Sequence, residues 1–279
     1  MAPRAFGERL RGGLLGLWTT LVVAYLCVPV AIVVLFGFND NRGRFNLTWQ
    51  GFTLDHLLHP FSDPDLALAL KNSLLIAAVT TAIAIVLGTW LALALVRHRF
   101  RGRTAAEFFV FLPMATPEVV MGASLLAMFL VVGVGTGFVT LVISHTMFCL
   151  SYVVVTVRAR LEGLDRHIEE AARDLGAGQW AAFRRVTLPM IAPGVAAAAV
   201  LSAALSIDDY VITSFNAGQT QTFPLFIFGA TRQGVPPEVN VLATLLLVAV
   251  LALVAVNVLV QRALARRDRG NADPIRGTA

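Results

Sequence analysis

Six apolar runs separated by polar segments dominate this chain of 279 residues. A helix needs about 20 mostly apolar residues to cross roughly 30 Å of hydrocarbon, and each run reaches that length. The runs predict membrane-spanning helices at 14–37, 73–96, 108–132, 138–157, 191–215 and 239–260. Only 14% of the residues are charged, against roughly 25% in soluble domains, which agrees with a membrane protein. We therefore predict a single all-α membrane domain over 1–279.

The first and third runs carry features that complicate a simple span. The first is too long for the core of a signal peptide and is followed by no small-residue cleavage site, so we expect a retained helix. Pro113 and Pro117 interrupt the start of the third run. Because proline lacks a backbone donor and clashes with the preceding turn, this helix either begins after the prolines or is kinked there.

Arginines cluster on alternate connections between the runs. They precede the first run, follow the second, and crowd both 158–185 and the carboxyl-terminal segment, and these groups hold 18 of the 22 Lys and Arg residues. In a six-helix arrangement they all lie on one side, which the positive-inside rule makes cytoplasmic. Both termini are therefore predicted to be cytoplasmic. The basic balance reflects topology, so we expect no nucleic-acid partner.

The cytoplasmic connection 158–190 contains the signals of a short polar helix. Asp165 can cap its start, Glu169 and Glu170 lie near its positive end, and Gly176 supplies a stop. The spacing places three apolar residues on one face, Ile168, Ala172 and Leu175. A solvated loop is the alternative interpretation. A helix this polar cannot be buried in lipid.

A second amphipathic segment follows Gly176. Trp180 and Phe183 lie three residues apart, which places them on the same side of a helix. The sequence Leu188-Pro189 then predicts a break in the helix before the fifth apolar run begins.

The spacing of this loop carries a resemblance. Glu170-Ala171-Ala172 is followed after three residues by Gly176, and after nine more by Val186-Thr187-Leu188-Pro189. This pattern resembles the EAA signature of the permease subunits of binding-protein-dependent ABC importers, with Val186 in place of Ile. The resemblance implies a type I importer fold of six helices whose short helix couples to a cytoplasmic ATPase. The coupling residues that it implies are Glu169, Glu170, Ala171, Ala172, Asp174, Gly176, Leu188 and Pro189.

Carboxylates within the apolar runs are the second functional signal. Asp208 and Asp209 lie in the fifth run, and Glu118 follows Pro117 at the interrupted start of the third. An ionisable side chain costs at least about 2.5 to 3.5 kcal/mol at the centre of a membrane helix and usually faces an aqueous path. A helix cap or an ion pair with a partner subunit is the structural alternative. Adjacent helical residues point about 100° apart, so the two aspartates cannot face one ligand equally.

Four segments extend the resemblance over nearly the whole chain. Residues 45–52, 144–150, 206–215 and 237–244 are similar to permeases of spermidine/putrescine importers. Polyamines are aliphatic polycations, which suit carboxylates and aromatic faces. For such a substrate we expect a path that comprises Asp208, Asp209, Tyr210, Glu118, Trp49 and Phe215.

The same resemblance implies a setting and partners. The setting is the bacterial inner membrane. The partners are a second permease in a heterodimer, two cytoplasmic ATPase subunits, and an external substrate-binding protein that docks on 38–71 and 216–238.

Several other chemistries have no pattern in this sequence. The single lysine, Lys71, follows Leu70 rather than a glycine-rich loop, so no P-loop is expected. Cys27 and Cys149 belong to different runs without histidines at ligand spacing, and we expect two packed thiols and no metal or cofactor. His145, inside the fourth run, is expected to be a hydrogen-bonded packing residue rather than a pathway residue.

Other functional classes stay open at this stage. Within the importers, the solute could instead be an amino-acid derivative, an opine or ferric ion. A secondary transporter is disfavoured because the chain has no inverted repeat and its strongest motif is cytoplasmic. A membrane enzyme or scaffold lacks any nucleophile paired with a base.

Overall fold

The structure, a computed structural model, describes the backbone of residues 3–41, 43, 45–165 and 167–271, and the side chains of those between 13 and 259 except Gln233. Arg166 of the predicted cytoplasmic loop and residues 272–279, which include Arg276, lie outside this part. The described chain is helical, with one isolated antiparallel bridge between Asn39 and Phe52. Its α-helices are α1 Pro3–Phe36, α2 Asp55–Leu58, α3 Pro64–Arg97, α4 Arg103–Ala115, α5 Glu118–Val132, α6 Phe138–Glu162, α7 His167–Asp174, α8 Gln179–Ala182, α9 Leu188–Asp208, α10 Val211–Asn216, α11 Phe223–Gln233 and α12 Pro237–Asn271.

Within the described residues, five stretches of helix are long and apolar enough to cross a membrane. They are Gly13–Phe36, Pro64–Arg97, Phe138–Glu162, Gln179–Asp208 and Pro237–Leu259. The second begins nine residues before the predicted start at Ser73, with Pro64 at a first-turn position where its missing donor costs nothing.

The predicted third span is a bent pair of helices. α4 and α5 meet at 110°, with Thr116 and Pro117 between them, so the sixth span of the expected bundle is present only if this pair counts as one. Thr116 returns both its backbone N–H and its hydroxyl to the carbonyl of Leu112, at 3.0 and 2.7 Å. The kink that the prolines predicted is therefore a sharp turn with a satisfied backbone.

The predicted fifth helix does not run unbroken to Phe215. α9 ends at Asp208, and Asp209 adopts an extended conformation with φ −64° and ψ 117°. A new helix, α10, then begins at Val211. The hydropathy of 191–215 is uninterrupted, so the apolar run alone did not indicate this break.

The described chain divides into two compact units. The first takes in the described residues of Met1–Pro64 together with Gly229–Val248. In this unit, side-chain amides form a group of hydrogen bonds after α1. Nδ2 of Asn39 donates to Oδ1 of Asn46 at 2.6 Å and to the carbonyl of Thr48 at 2.8 Å. Asn46 in turn donates to the carbonyl of Phe36 at 2.8 Å, which closes the loop onto the end of the helix.

The second unit takes in Asp65–Phe228 and the described residues of Ala249–Ala279. Helix α6 lies at its centre and packs along α9 and against α4, while α10 packs against α5 and α6. The helices approach closely at Gly88, where a built Cβ would lie 2.5 Å from Cγ1 of Val153. Small residues let helix backbones approach closely in membrane bundles. Because lipid tails are as apolar as the side chains, helices there associate through van der Waals packing rather than through exclusion of water. The expectation of one domain over 1–279 stays a prediction.

Candidate functional site

The short helix predicted in the cytoplasmic loop is α7, from His167 to Asp174. Oδ1 of Asp165 accepts from the backbone N–H of His167 at 3.0 Å and so caps its start. Gly176, at φ +88°, ends it. Its N–H bonds the carbonyl of Arg173 at 2.9 Å, and the N–H of Ala177 bonds that of Ala172 at 3.1 Å, which is a Schellman motif. The predicted start and stop of this helix are therefore confirmed.

The α7 region presents its side chains outward. None of its residues is buried, and Ile168 is 46% exposed while Leu175 is 91% exposed. The predicted apolar face is therefore not covered by this chain. The other exposed residues of the motif are Glu170, Ala171, Asp174, Gly176, Leu188 and Pro189, and Ala172 is half-buried.

One residue of the motif turns inward and forms a polar cluster. Glu169 pairs with Arg97, at the end of α3, with Nη1 of Arg97 2.8 Å from Oε1 of Glu169 and Nη2 against Oε2. The hydroxyl of Thr187, which is 2% exposed, donates to Oε2 of Glu169 at 3.0 Å and accepts from Nη2 of Arg97 at 3.2 Å. We call these three residues the Arg97–Glu169–Thr187 cluster.

Sequence analysis missed two members of this cluster. Arg97 entered it only as one of the arginines that set topology, and Thr187 only as a variable position of the motif. The signal in the sequence was a cationic side chain at the end of an apolar run. Such a charge needs an ion-pair partner or water.

The second half of the motif contains a segment of π-helix, Phe183–Thr187, between α8 and α9. The break predicted at Leu188-Pro189 is wrong, because α9 begins at Leu188 and continues through Pro189. Proline normally clashes with the carbonyl four residues earlier, and the wider π turn directly before it relieves that clash. Phe183 anchors the segment by stacking on Trp90 of α3, with ring centroids 5.7 Å apart.

The two adjacent aspartates of the fifth run have different surroundings. Asp208 ends α9 and is exposed, whereas Asp209 is 8% exposed. Oδ2 of Asp209 accepts from the backbone N–H of Thr213 at 2.8 Å and from its hydroxyl at 2.7 Å. Asp209 thus caps α10, as the structural alternative for this residue predicted.

His145 completes the surroundings of Asp209. Its Nδ1 lies 2.7 Å from Oγ of Ser206, and its Nε2 lies 2.9 Å from Oγ1 of Thr213 and 3.3 Å from Oδ2 of Asp209. Since the hydroxyl of Thr213 donates to Asp209, Nε2 of His145 is assigned as the donor toward Thr213. Within the described residues, this buried histidine is the basic side chain paired with Asp209. The hydrogen-bonded packing role expected of His145 agrees with these contacts.

The remaining residues of the predicted path are distributed along both units. Tyr210 stacks against Phe228, with centroids 4.6 Å apart, and Phe215 lies so close to Gly122 that a Cβ there would be 2.7 Å from its ring. Glu118 is exposed at the start of α5 and interacts electrostatically with Asp208. Trp49 belongs to the first unit, where its ring meets the edge of Phe36 at 6.4 Å. Three path residues, Asp208, Asp209 and Tyr210, are therefore consecutive at the α9–α10 break, Phe215 lies within α10, and Glu118 is in electrostatic range of Asp208.

The cysteines and the metal-ligating residues add no further site. Both thiols are free; Cys149 is buried as predicted, but Cys27 is exposed and is not packed by this chain. In the part of the chain that the structure describes, no three His, Cys, Asp or Glu side chains are grouped to hold a metal ion.

Comparison with known proteins identifies the family of this chain. The family described as the binding-protein-dependent transport system inner membrane component matches residues 84–270. The chain belongs to this family. The predicted resemblance is thereby confirmed, and the chain is a multi-pass permease component of the inner membrane.

The relatives of this chain include proteins named as polyamine permeases. The spermidine/putrescine transport system permease protein PotC of Escherichia coli (strain K12) is 40% identical over 95% of this chain and 98% of that protein. The corresponding PotC of Haemophilus influenzae is 41% identical over 87% of this chain and 94% of that protein. The putrescine transport system permease protein PotI of Escherichia coli (strain K12) is 38% identical over 81% and 83%.

Solved structures share the permease fold. A bacterial ABC transporter involved in the import of the acidic polysaccharide alginate has a TM-score of 0.66 at 18% identity, over 95% of this chain and 99% of that chain. An amino acid ABC transporter crystallised with histidines has a TM-score of 0.57 at 20% identity, over 76% and 100%. The predicted all-α fold of type I importers is therefore confirmed.

The unequal surroundings of the aspartates lead to a stability prediction. Replacing Asp209 with Ala leaves the backbone N–H and the hydroxyl of Thr213 without their acceptor, and leaving a buried donor unsatisfied costs about 1 to 3 kcal/mol. The matched variant Asp208→Ala removes an exposed side chain and should change stability by less than about 0.5 kcal/mol. Thermal unfolding of the purified proteins in detergent compares them. Equal melting temperatures would contradict the capping role of Asp209.

Proposed function

We propose that this chain is one permease subunit of an ATP-driven importer for polyamines such as spermidine and putrescine. The observation that carries the proposal is the exposed carboxylate of Asp208, which forms no ion pair among the described residues, at a helix break within a membrane span, in a chain that is 40% identical to a spermidine/putrescine permease. The chain itself is a transport subunit and carries out no catalytic step. An importer of another small solute, such as an amino-acid derivative, an opine or ferric ion, is the alternative within the same family.

The chemistry of the α9–α10 break suits an aliphatic polycation. Asp209 already has His145 and Thr213 as hydrogen-bonding partners within the chain. Asp208 is exposed and could contact a ligand, and Glu118 adds a second carboxylate within electrostatic range of it. Tyr210 and Phe215 add aromatic surface beside them. An ammonium group gains from both a carboxylate and an aromatic face, which supports a role of these residues as a path for amines.

The outward face of α7 supports a second part of the proposal, which is coupling to an ATPase. Ile168 of α7, Leu175 directly after it and Trp180 of α8 are exposed apolar side chains, and they lie along the chain among exposed polar residues such as Glu170, in a segment too polar to enter lipid. Such a rimmed apolar patch is typical of a protein-binding surface. Two cytoplasmic ATPase subunits would bind this surface on the chain and on a second permease, and a loaded external receptor would deliver the solute. Transport then proceeds by alternating access.

The Schellman motif of α7 gives a test of coupling. Gly176→Pro should uncouple the permease, because proline cannot adopt φ +88° and removes the N–H that bonds Arg173. In the reconstituted complex, substrate-stimulated ATP hydrolysis should fall by about tenfold, within the usual range of coupling free energies. Gly178→Pro is the matched control, since Gly178 has a φ of −62°, which proline accepts. Wild-type stimulation in the Gly176→Pro complex would argue against coupling through α7.

The substrate assignment is tested at Asp208. Asp208→Asn keeps the volume of the side chain and removes the charge that offsets an ammonium group, so uptake of labelled spermidine and putrescine should fall by about tenfold. Asp208→Glu keeps the charge and should retain most of the uptake. Pull-down of the ATPase subunits establishes that each complex is assembled. Full uptake by the Asn variant would leave Asp208 outside the path, and efficient competition by an amino-acid derivative would favour the alternative solute.

The orientation of the chain is tested by cysteine labelling in intact cells. In a variant without Cys27 and Cys149, cysteines at Gly43 and Gln219 should react with an impermeant reagent, and cysteines at Arg101 and Gly178 should be protected. Gln219 is chosen over Gly218, where φ is +55° and a Cβ would collide with the carbonyl of Thr136. Reaction at Gly178→Cys from outside would invert the topology and exclude a cytoplasmic α7.

A further inference from the structure

We propose that Arg97, Glu169 and Thr187 are positioning residues that fasten α7 to the ends of α3 and α9, so that movement of α7 is transmitted to two membrane helices at once. The inference rests on the proposed function, because it takes α7 as the helix that an ATPase moves. It names the intramolecular connection that makes such a movement useful.

The geometry of the cluster is a closed ring. Arg97 offers its planar guanidinium to both oxygens of Glu169, and Thr187 bonds to both partners through its one hydroxyl. A two-point arginine–carboxylate contact fixes orientation as well as distance. Each of the three side chains comes from a different element, namely α3, α7 and the end of the π segment. The ring therefore defines where α7 sits relative to both helix ends.

The rest of α7 contributes little apolar packing. None of its residues is buried, and its largest apolar side chain, Ile168, is 46% exposed. Its other ion pair, between His167 and Glu170, is local to the helix and exposed. Apolar packing is not directional, so a helix held by packing alone could slide against its neighbours. A helix held by directional hydrogen bonds between charged groups moves together with its partners. The Arg97–Glu169–Thr187 cluster is therefore the directional attachment of α7 within the second unit.

The position of Thr187 extends this connection to the fifth span. Thr187 is the last residue of the π segment, and α9 begins at the next residue. A π turn has wider and weaker hydrogen bonding than an α turn and occurs at functional sites. A displacement of Glu169 is thus transmitted through Thr187 to the start of α9 and through Arg97 to the last residue of α3. α9 is the helix that ends at Asp208, at the proposed substrate path.

A second polar cluster of the same unit provides a matched control. Arg158 of α6 contacts Glu107 of α4 at 3.2 Å and Glu162 at 2.8 Å. The exposed fractions of the Arg158–Glu107 side chains are 24% and 27%, close to the 28% and 21% of Arg97 and Glu169. Loss of either arginine therefore removes a similar ion pair, but the partners of Arg158 among the described residues, Glu107 and Glu162, belong to α4 and α6 rather than α7.

The experiment compares transport with ATP hydrolysis in proteoliposomes that contain the complete importer. Arg97→Gln and Glu169→Gln should each lower the labelled spermidine imported per ATP hydrolysed by about tenfold, which is the scale at which residues along a coupling route act. Thr187→Val should lower the same ratio, and Thr187→Ser, which keeps the hydroxyl, should restore it. Arg158→Gln should leave the ratio unchanged. A reversed pair, Arg97→Glu with Glu169→Arg, rebuilds the contact and should recover the ratio to within about threefold.

Three results would overturn the inference. The first is an unchanged ratio in Arg97→Gln and Glu169→Gln. The second is a reversed pair no better than the poorer single variant. The third is loss of the assembled complex in both single variants, which would make the cluster a requirement for folding alone. Cross-linking of Ala171→Cys to the ATPase subunit in the otherwise unaltered chain separates the two proposals. Without that cross-link the coupling role of α7 itself fails, whereas a cross-link with unchanged ratios removes only the role of the cluster.

Discussion

Hydrocarbon offers no water to a backbone N–H or C=O, and this requirement governs both where the helices of this chain run and how they stop. Five spans meet it by uninterrupted helix. The two breaks meet it with side chains of the residues at the break itself. Thr116 bonds back to Leu112 between α4 and α5, and Asp209 bonds forward to Thr213 between α9 and α10. At each interruption, a side chain of the break therefore pairs with a backbone group of the adjoining helix.

That requirement also explains why adjacent carboxylates can differ in purpose. A carboxylate that satisfies the backbone at a break must be buried and compensated, and Asp209 has both a cap to make and His145 beside it. Asp208 ends the preceding helix, does not cap the next one and is exposed. A charge is costly within a membrane span, which is why we propose a role in transport for the exposed Asp208. One helix break thus holds both the proposed path residue and the residue that caps the following helix.

The sequence predicted well whatever depends on local residues. The apolar runs predicted the spans, the prolines predicted the kink before α5, and Gly176 predicted the end of α7, because each follows from hydropathy or from one backbone conformation. The family followed from one spaced motif and is confirmed. The break at Asp209 was missed because a carboxylate does not interrupt an average over a window. The π segment and the bond from Arg97 to Glu169, which joins residues 72 apart, depend on packing that no periodicity records.

The π segment at Phe183–Thr187 has a geometric consequence along the whole of α9. A π turn accommodates one residue more than an α turn, and one residue corresponds to a rotation of about 100° about the helix axis. The azimuth of every later side chain on that helix, up to Asp208, is set by this single wide turn. Deleting one residue from 183–187 would hardly change the composition of the span. It would still rotate every later side chain of α9 about the helix axis. The π segment of the motif thus determines which way a helix face some twenty residues away is turned.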